Sequence, residues 1–275
     1  MEKSDFAAPT TSPELLELHF NESTFGLAEF SEVLDSRFSG RRGLRCLEIG
    51  SGAAVLLARL KDRYPQHTWE GIEPIGQGFS RFEASHDAIV NRFDLTMHRT
   101  TFEEFRTNEK FDFLFSLNVL EHVGSWRDCL AKAHDILRPG GVAVFLCPNY
   151  SFPYEPHYAL PIVINKSITH RLFRRAIAKY DEKNDTAELW SSLNFIKKRE
   201  VTRFCRERGI HVRFDEAIMT RMVEKLWTDP AFAERQSVMA APAKLLHRIG
   251  VTRLVERFPL NRLSPYSKII IEKRG

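Results

Sequence analysis

Leu44-Arg45-Cys46-Leu47-Glu48-Ile49-Gly50-Ser51-Gly52 is the stretch whose reading decides the fold. Its apolar run from Leu44 to Ile49 is short and ends in glycine, the pattern of a buried strand bounded by a tight turn. Gly50 and Gly52 let the backbone turn sharply and come close to a ligand. Ala53 to Lys61 follows with good helix formers and the apolar spacing of a packed helix. Twenty-one residues past Gly52, Glu73 closes a second strand-like run, Thr68-Trp69-Glu70-Gly71-Ile72. An acid at the end of the second strand of a nucleotide-binding unit is placed to accept hydrogen bonds from both ribose hydroxyls. The ligand class is therefore something that carries an adenosine.

The spacing departs from the dinucleotide fingerprint, whose third glycine would fall at Val55. Glu48, inside the strand, would repel a phosphate but can accept from a cationic amino group. Downstream, Phe111 to Leu117 reads as another buried strand and leads into Asn118-Val119-Leu120-Glu121-His122-Val123. Trp126 to Leu137 has helical spacing, with Leu130, Ala133, His134 and Leu137 on one face. Arg138-Pro139-Gly140-Gly141 stops it, and Val142 to Leu146 is the next strand.

In order and spacing, residues 44 to 150 resemble the class I S-adenosylmethionine (SAM) dependent methyltransferases. The resemblance implies an α/β, Rossmann-like fold. Its sheet would have seven mostly parallel strands with the last antiparallel, helices on both faces, and helical insertions forming a cap. It implies SAM as cofactor and S-adenosylhomocysteine as product. It places Glu48 near the methionine end, Gly50, Ser51 and Gly52 near the sugar, and Glu73 on the ribose, with Pro74 beside it. Thr101 would bond the adenine amino group and Phe102 would flank the ring. Leu117 and Asn118 would lie by the methionine moiety, with Asn118 also facing the acceptor. Many relatives carry an acid just before the adenine-contacting side chain, where this chain has Thr100 ahead of Thr101 and Phe102. Two alternatives stand beside this reading. One is an NAD-dependent oxidoreductase, against which Val55 and Glu48 speak. The other is a SAM-binding protein without transfer activity, acting through a basic surface.

The bulk properties suit one large α/β domain with insertions. The chain has 275 residues, 43% hydrophobic and 28% charged, which is ordinary for a globular protein. No apolar run reaches the length of a membrane span, and Met1 to Asp5 lacks a signal-peptide core, so a cytoplasmic location is expected. Cys46, Cys129, Cys147 and Cys205 are far apart without C-x-x-C spacing. Cys46 and Cys147 fall in expected buried strands and read as packing thiols in a reducing compartment, and no metal site is expected. Charge is uneven: residues 151 to 275 carry 24 Lys and Arg against 14 acids, and the first 150 carry 16 against 22. The basic half suits an anionic substrate, a nucleic acid or a lipid surface, with a peripheral membrane contact as one form of the last. The methyl acceptor is expected to be a hydroxyl on a small molecule, a lipid-linked precursor or a sugar. Nucleic acid is the weaker reading, because no RNA-recognition signature is present.

Four regions follow. Residues 1–43 form a tail and two covering helices, one from Pro13 capped by Ser12, the other from Gly26 to Phe38. Residues 44–150 are the SAM-binding core. Residues 151–198 are a substrate-cap insertion. Residues 199–275 complete the core around a second insertion at about 220–263, which carries one amphipathic helix from Ala243 to Phe258. The cap opens with Pro148-Asn149-Tyr150-Ser151-Phe152-Pro153-Tyr154-Glu155-Pro156-His157-Tyr158, a proline-stiffened loop leaving a strand end, where substrate is expected. His157 is the first candidate base, imidazole being the side chain able to exchange a proton near neutral pH, and His122 is the second. Tyr154, His157 and Tyr158 are the candidate acceptor contacts. Ile168 to Lys179 mixes apolar and basic residues, and its layout resembles the quinone-biosynthesis O-methyltransferases, which implies a lipid-linked substrate nearby.

Overall fold

A computed structural model describes residues 1–7, 12–75, 83–184, 186, 189–235, 237–257 and 264–275. The strands are β1 (Arg45–Ile49), β2 (Thr68–Ile72), β3 (Thr96–His98), β4 (Phe111–Leu117), β5 (Leu137–Pro148), β6 (Tyr154–Glu155), β7 (Leu160–Pro161), β8 (His211–Phe214) and β9 (Tyr266–Glu272). The helices are α1 (Pro13–Arg37), α2 (Val55–Arg63), α3 (Glu83–Arg92), α4 (Trp126–Ile136), α5 (Lys166–Asn184), α6 (Leu189–Ser192), α7 (Lys198–Glu207), α8 (Ile218–Thr228), α9 (Pro230–Arg235), α10 (Ser237–Arg248) and α11 (Val251–Arg257). Seven strands form one sheet in the order β3-β2-β1-β4-β5-β9-β8. β1 pairs in parallel with β2 and β4, and β2 with β3. β9 runs antiparallel to β5: Gly140 bonds Lys273 while Asn149 bonds Pro265. The strand order reverses between β1 and β4, the switch point where sheets of this kind hold ligands beyond the strands' carboxyl ends.

The chain divides into two compact units. The first comprises Met1–Val119, Asp128–Phe145 and Ile270–Gly275; the second comprises Leu120–Arg127 and Leu146–Ile269. In the first, alternate aromatic residues of β4 build the core. Phe113 and Phe115 stack at 5.4 Å, and Phe30 of α1 meets them at 6.3 and 5.0 Å. Each such ring, fully buried, stabilises the fold by about 2–3 kcal/mol. In the second unit, β6 and β7 form a short hairpin. Tyr158, Tyr180, Trp190, Phe195 and Tyr150 form a chain of ring contacts from 4.4 to 5.7 Å. Cys46, Cys129, Cys147 and Cys205 are free and buried. No helix among the described residues is long and apolar enough to cross a membrane.

Three local expectations are corrected. The two leading helices are one: α1 starts at Pro13 with Ser12 capping Leu15 N–H at 3.2 Å and runs unbroken to Arg37. Gly26 does not end it, because that face lies against Leu56 and Leu117, within about 3 Å of where a Cβ would stand. Close packing there offsets the ~1 kcal/mol helix cost of glycine. The Arg138 to Gly141 stop lies within β5, because Gly140 and Gly141 pair with Lys273 across the sheet. The helix expected from Ala243 to Phe258 is two, α10 and α11, divided at Gly250 with φ +79°. Phe258 lies outside the described residues.

Candidate active site

The loop after β1 is fixed from three sides within the first unit. The N–H groups of Gly50 and Ser51 both donate to Ile72 O, at 2.8 and 3.0 Å. Gly52 N–H donates to Glu73 Oε2 at 2.7 Å. Gly52 O accepts from His86 Nδ1 at 2.6 Å. Sequence reasoning missed His86, a buried residue of α3; no motif marks it. Gly50 (φ +72°), Gly52 (φ +50°), Ala54 (φ +62°), Ile75 (φ +40°) and Asn118 (φ +55°) occupy the left-handed region, all just past the ends of β1, β2 and β4. For a residue with a side chain this costs roughly 1–2 kcal/mol. Such strain gathers at ligand sites. A Cβ on Gly50 would meet Val119 Cγ2 at 2.4 Å, whereas one on Gly52 would point into open space.

Two acids face this loop. Glu48 is 2% exposed, and its Oε2 has no hydrogen-bond partner among the described residues. Burial pushes its carboxyl up to about 8; the Ser51 hydroxyl opposes this and the charge of Glu73 adds to it. An uncharged carboxyl is the cheaper state for an acid cut off from water. Glu73 is raised as well, mainly by burial, although the N–H groups of Gly52 and Ile75 stabilise its charged form.

The other predicted cofactor residues are scattered in exposure. Leu117 and Asn118 are half-buried at the end of β4, and Pro74 is exposed. Thr101 Oγ1 accepts from Glu104 N–H at 3.2 Å, which shapes a tight turn. Phe102, expected to flank an adenine ring, is instead a core residue: it is 3% exposed, and the Lys132 ammonium lies 4.8 Å from its ring centre.

The second unit gathers the other candidates. His157 Nδ1 lies 2.6 Å from Oε1 of the buried Glu155. Glu155 also accepts from Tyr158 N–H at 2.7 Å and from the Tyr150 hydroxyl at 3.2 Å, so the carboxylate is held by three partners. The ring of His122 meets that of His157 edge to face at 5.2 Å. His122 Nδ1 lies 2.9 Å from Ser192 Oγ, whose own proton goes to Leu189 O at 2.8 Å. The serine oxygen must therefore accept, which puts the His122 proton on Nδ1. Burial, with the His157 charge added, lowers His122 to about 3, so this ring is neutral at ordinary pH. Glu121 is fully buried, with Oε1 3.9 Å from His122 Nε2. Tyr154 is half-buried in β6, its hydroxyl pushed up to about 12 by burial and the Glu155 charge. Tyr158, expected at the acceptor, is a core residue whose hydroxyl donates to Asp181 at 2.7 Å.

Comparisons with known proteins converge on one class. A family model described as a methyltransferase domain matches residues 25–217. The uncharacterized protein Rv1509 of Mycobacterium tuberculosis is 34% identical over 239 residues, covering 84% of this chain and 80% of its own. A ubiquinone biosynthesis O-methyltransferase of Bradyrhizobium sp. is 30% identical over 121 residues, 44% of this chain and 45% of that protein. Among solved structures, Haemonchus contortus phosphoethanolamine N-methyltransferase 2, bound to phosphomonomethylethanolamine and S-adenosylhomocysteine, shares the fold. Its TM-score is 0.55 at 11% identity, over 90% of this chain and 53% of that one. With the sheet order and the glycine loop already described, the chain belongs to the methyltransferase-domain family, within the class I SAM-dependent methyltransferases.

Proposed function

We propose that the protein transfers the methyl group of SAM to a hydroxyl oxygen of an anionic small-molecule or lipid-linked acceptor. The loop residues fit the donor on their own chemistry. A buried carboxylate oxygen without a partner, Glu48 Oε2, suits the ammonium of the methionine moiety. Glu73, whose carboxylate already takes the Gly52 N–H on Oε2, has lone pairs left to accept from ribose hydroxyls. Gly52 leaves open space where a side chain would stand. SAM supplies an activated methyl group. The protein must therefore hold the acceptor in line and dispose of its proton.

The observation that carries the oxygen assignment is the imidazole cluster of His122 and His157. A neutral amine attacks without prior ionisation. A hydroxyl is a poor nucleophile until its proton is drawn off, and that task needs neutral imidazole or an equivalent. His157 is oriented by Glu155 as catalytic imidazoles are oriented by carboxylates. The Bradyrhizobium relative, named an O-methyltransferase, points the same way.

The acceptor's charge is read from a cavity of about 1030 Å³ in the second unit. Arg127, Lys166, Lys197, Arg199 and Arg203 line it, against Glu200 and Glu207. Tyr150 lines it too, and its hydroxyl reaches Glu155 behind His157. A lipid-linked acceptor is supported by the apolar side chains left exposed beside basic ones. Leu172 stands beside Arg171, Arg174 and Arg175, and Leu245, Ile249 and Leu254 alternate with Lys244, Arg248 and Arg253. This mixture suits an anionic lipid surface.

The test is calorimetric titration with SAM and S-adenosylhomocysteine, then incubation with methyl-labelled SAM and hydroxylated carboxylates, phosphates and lipid extracts. A product with the label on oxygen supports the proposal. Label on nitrogen or carbon overturns the oxygen assignment. Binding without turnover makes the chain a SAM-binding protein, and failure of folded protein to bind SAM removes the whole reading.

A further inference from the structure

We infer that His86 is a positioning residue for the cofactor: it sets the direction of the Gly52–Ala53 peptide and leaves the Ala53 N–H free to bond SAM. The inference rests on the reading of this loop as the donor site and adds to it a residue outside the motif. His86 stands on α3 and is 1% exposed. Its Nδ1 lies 2.6 Å from Gly52 O. A carbonyl oxygen only accepts, so the imidazole proton facing it is on Nδ1. Peptide units are planar, and none among the described residues is cis. The Ala53 N–H therefore points to the side opposite Gly52 O. Ala53 is 4% exposed, and its N–H has no hydrogen-bond partner among the described residues. Buried N–H groups are nearly always paired, so one left over at a strand end calls for an acceptor from outside the chain.

The His86 contact is itself held in place. Arg99, just past β3, pairs with Glu83 at 3.6 Å and with Asp87. These two acids flank His86 on α3. Each exposed pair is weak alone, but together they fix that turn of the helix against the end of β3. The end of β3 is tied to the end of β2, because Glu73 N–H donates to His98 O at 3.1 Å. Glu73 Oε2 in turn accepts the Gly52 N–H at 2.7 Å. Contacts thus run from Gly52 to Glu73, from Glu73 to β3, from Arg99 to α3, and from His86 back to Gly52. Within this circuit both polar groups of Gly52 are committed, the N–H to Glu73 and the carbonyl to His86.

The circuit answers a need that glycine creates. Gly52 has φ +50°, and a residue without a side chain passes between backbone states at little steric cost. The same openness that admits the cofactor leaves the Gly52–Ala53 peptide without stiffness of its own. The bond from Nδ1 supplies that stiffness from the carbonyl side, away from the N–H. Without it the peptide can rotate, and the Ala53 N–H faces the cofactor for only part of the time. The apparent dissociation constant then rises by the inverse of that fraction.

The test is calorimetric titration of the full chain with S-adenosylhomocysteine, beside thermal unfolding of the free protein. His86→Ala should weaken binding at least about fivefold, through loss of the bond that orients the peptide. His86→Gln keeps the bulk but carries its amide one bond farther out, so it should be weakened likewise; it serves where the alanine variant does not fold. His86→Asn puts an amide N–H where Nδ1 stood and should bind within about twofold of the unaltered protein. A packing role would instead lower the melting temperature of all three variants and leave the affinity of folded protein alone; that pattern overturns the inference. So does an asparagine variant that binds no tighter than the alanine or glutamine one. Failure of the unaltered, folded protein to bind removes the reading of the loop as the donor site, and this inference with it. Binding that no substitution changes overturns this inference alone, so the two failures are distinguishable.

Discussion

Binding of SAM should expel most of a proton at neutral pH, and Glu48 is the reason. Its carboxyl is pushed up to about 8 by burial. At pH 7 the free protein therefore holds it about nine-tenths protonated. An ammonium brought against Oε2 favours the charged form, so the proton must leave as the cofactor enters. The cofactor's α-amino group, ordinarily near 8, takes back about 0.1 proton at pH 7, leaving a net release of about 0.8. Apparent affinity should then rise roughly tenfold per pH unit up to about pH 8 and fall beyond it as the ammonium is lost. The free protein behaves oppositely. An acid raised on folding contributes stability that is fully present below its ordinary 4.5 and is lost as pH rises through about 8. That span corresponds to at most about 5 kcal/mol, reduced by whatever water a relaxing loop admits. The assay is calorimetry at pH 7 in buffers of different ionisation enthalpy, where the slope of heat against buffer enthalpy counts protons. Glu48→Gln should abolish the release, leave a small uptake, and raise the melting temperature of the free protein at pH 8. A flat buffer dependence in the unaltered protein would refute the pairing of Glu48 with the ammonium.

Three further outcomes follow from the same geometry. Glu73→Ala should weaken SAM binding by at least about 1 kcal/mol, since it removes the ribose acceptor and the anchor of Gly52 N–H; unchanged affinity in calorimetry refutes the ribose role. Gly50→Ala should destabilise by about 2–5 kcal/mol, through the Val119 clash and the positive φ together. Gly52→Ala should cost only about 1–2 kcal/mol in thermal unfolding yet weaken SAM far more, its methyl entering space left open for the cofactor; equal melting losses for the two variants contradict this. His157→Ala should slow turnover on the true acceptor by about a hundredfold or more with SAM affinity intact; normal rates remove His157 from the acceptor site.

The legible parts of the fold were those where backbone chemistry is written in residue type. The glycine turn after Ile49, the aromatic run of β4 and the apolar β9 each follow from local rules. Illegible parts depended on neighbours distant in sequence. Gly26 reads as a helix break, yet Leu56 and Leu117 pack against it and the helix continues. Gly250 reads as tolerable within an apolar helical pattern, yet it takes φ +79° and divides the helix. Phe102 was placed by the resemblance and Tyr158 by its nearness to His157 in sequence, and both side chains are buried in the core. The meeting of Gly52 with Glu73 was readable because the spacing of a strand–turn–helix–strand unit is short and fixed. His86, which holds Gly52 O, and the meeting of His122 with His157 were not, because folding alone brings those residues together.

The same loop shows why a strand–turn–helix without a ligand is the poorer account. Glu48 could be replaced there by an apolar residue without leaving any polar partner unsatisfied on Oε2, and the free protein would gain stability at neutral pH. Ala54, Ile75 and Asn118 each hold a left-handed backbone that a glycine would adopt at little cost. One such feature in a loop is an accident of packing. Here a buried acid near the end of β1 meets three of the seven left-handed non-glycine residues among the described ones, those just past the carboxyl ends of three neighbouring strands beside the sheet's switch point. Departures from local stability that converge on one spot are the mark of a functional site. A ligand carrying an ammonium and a ribose offsets two of them at once, by charging Glu48 favourably and by donating to the remaining lone pairs of Glu73.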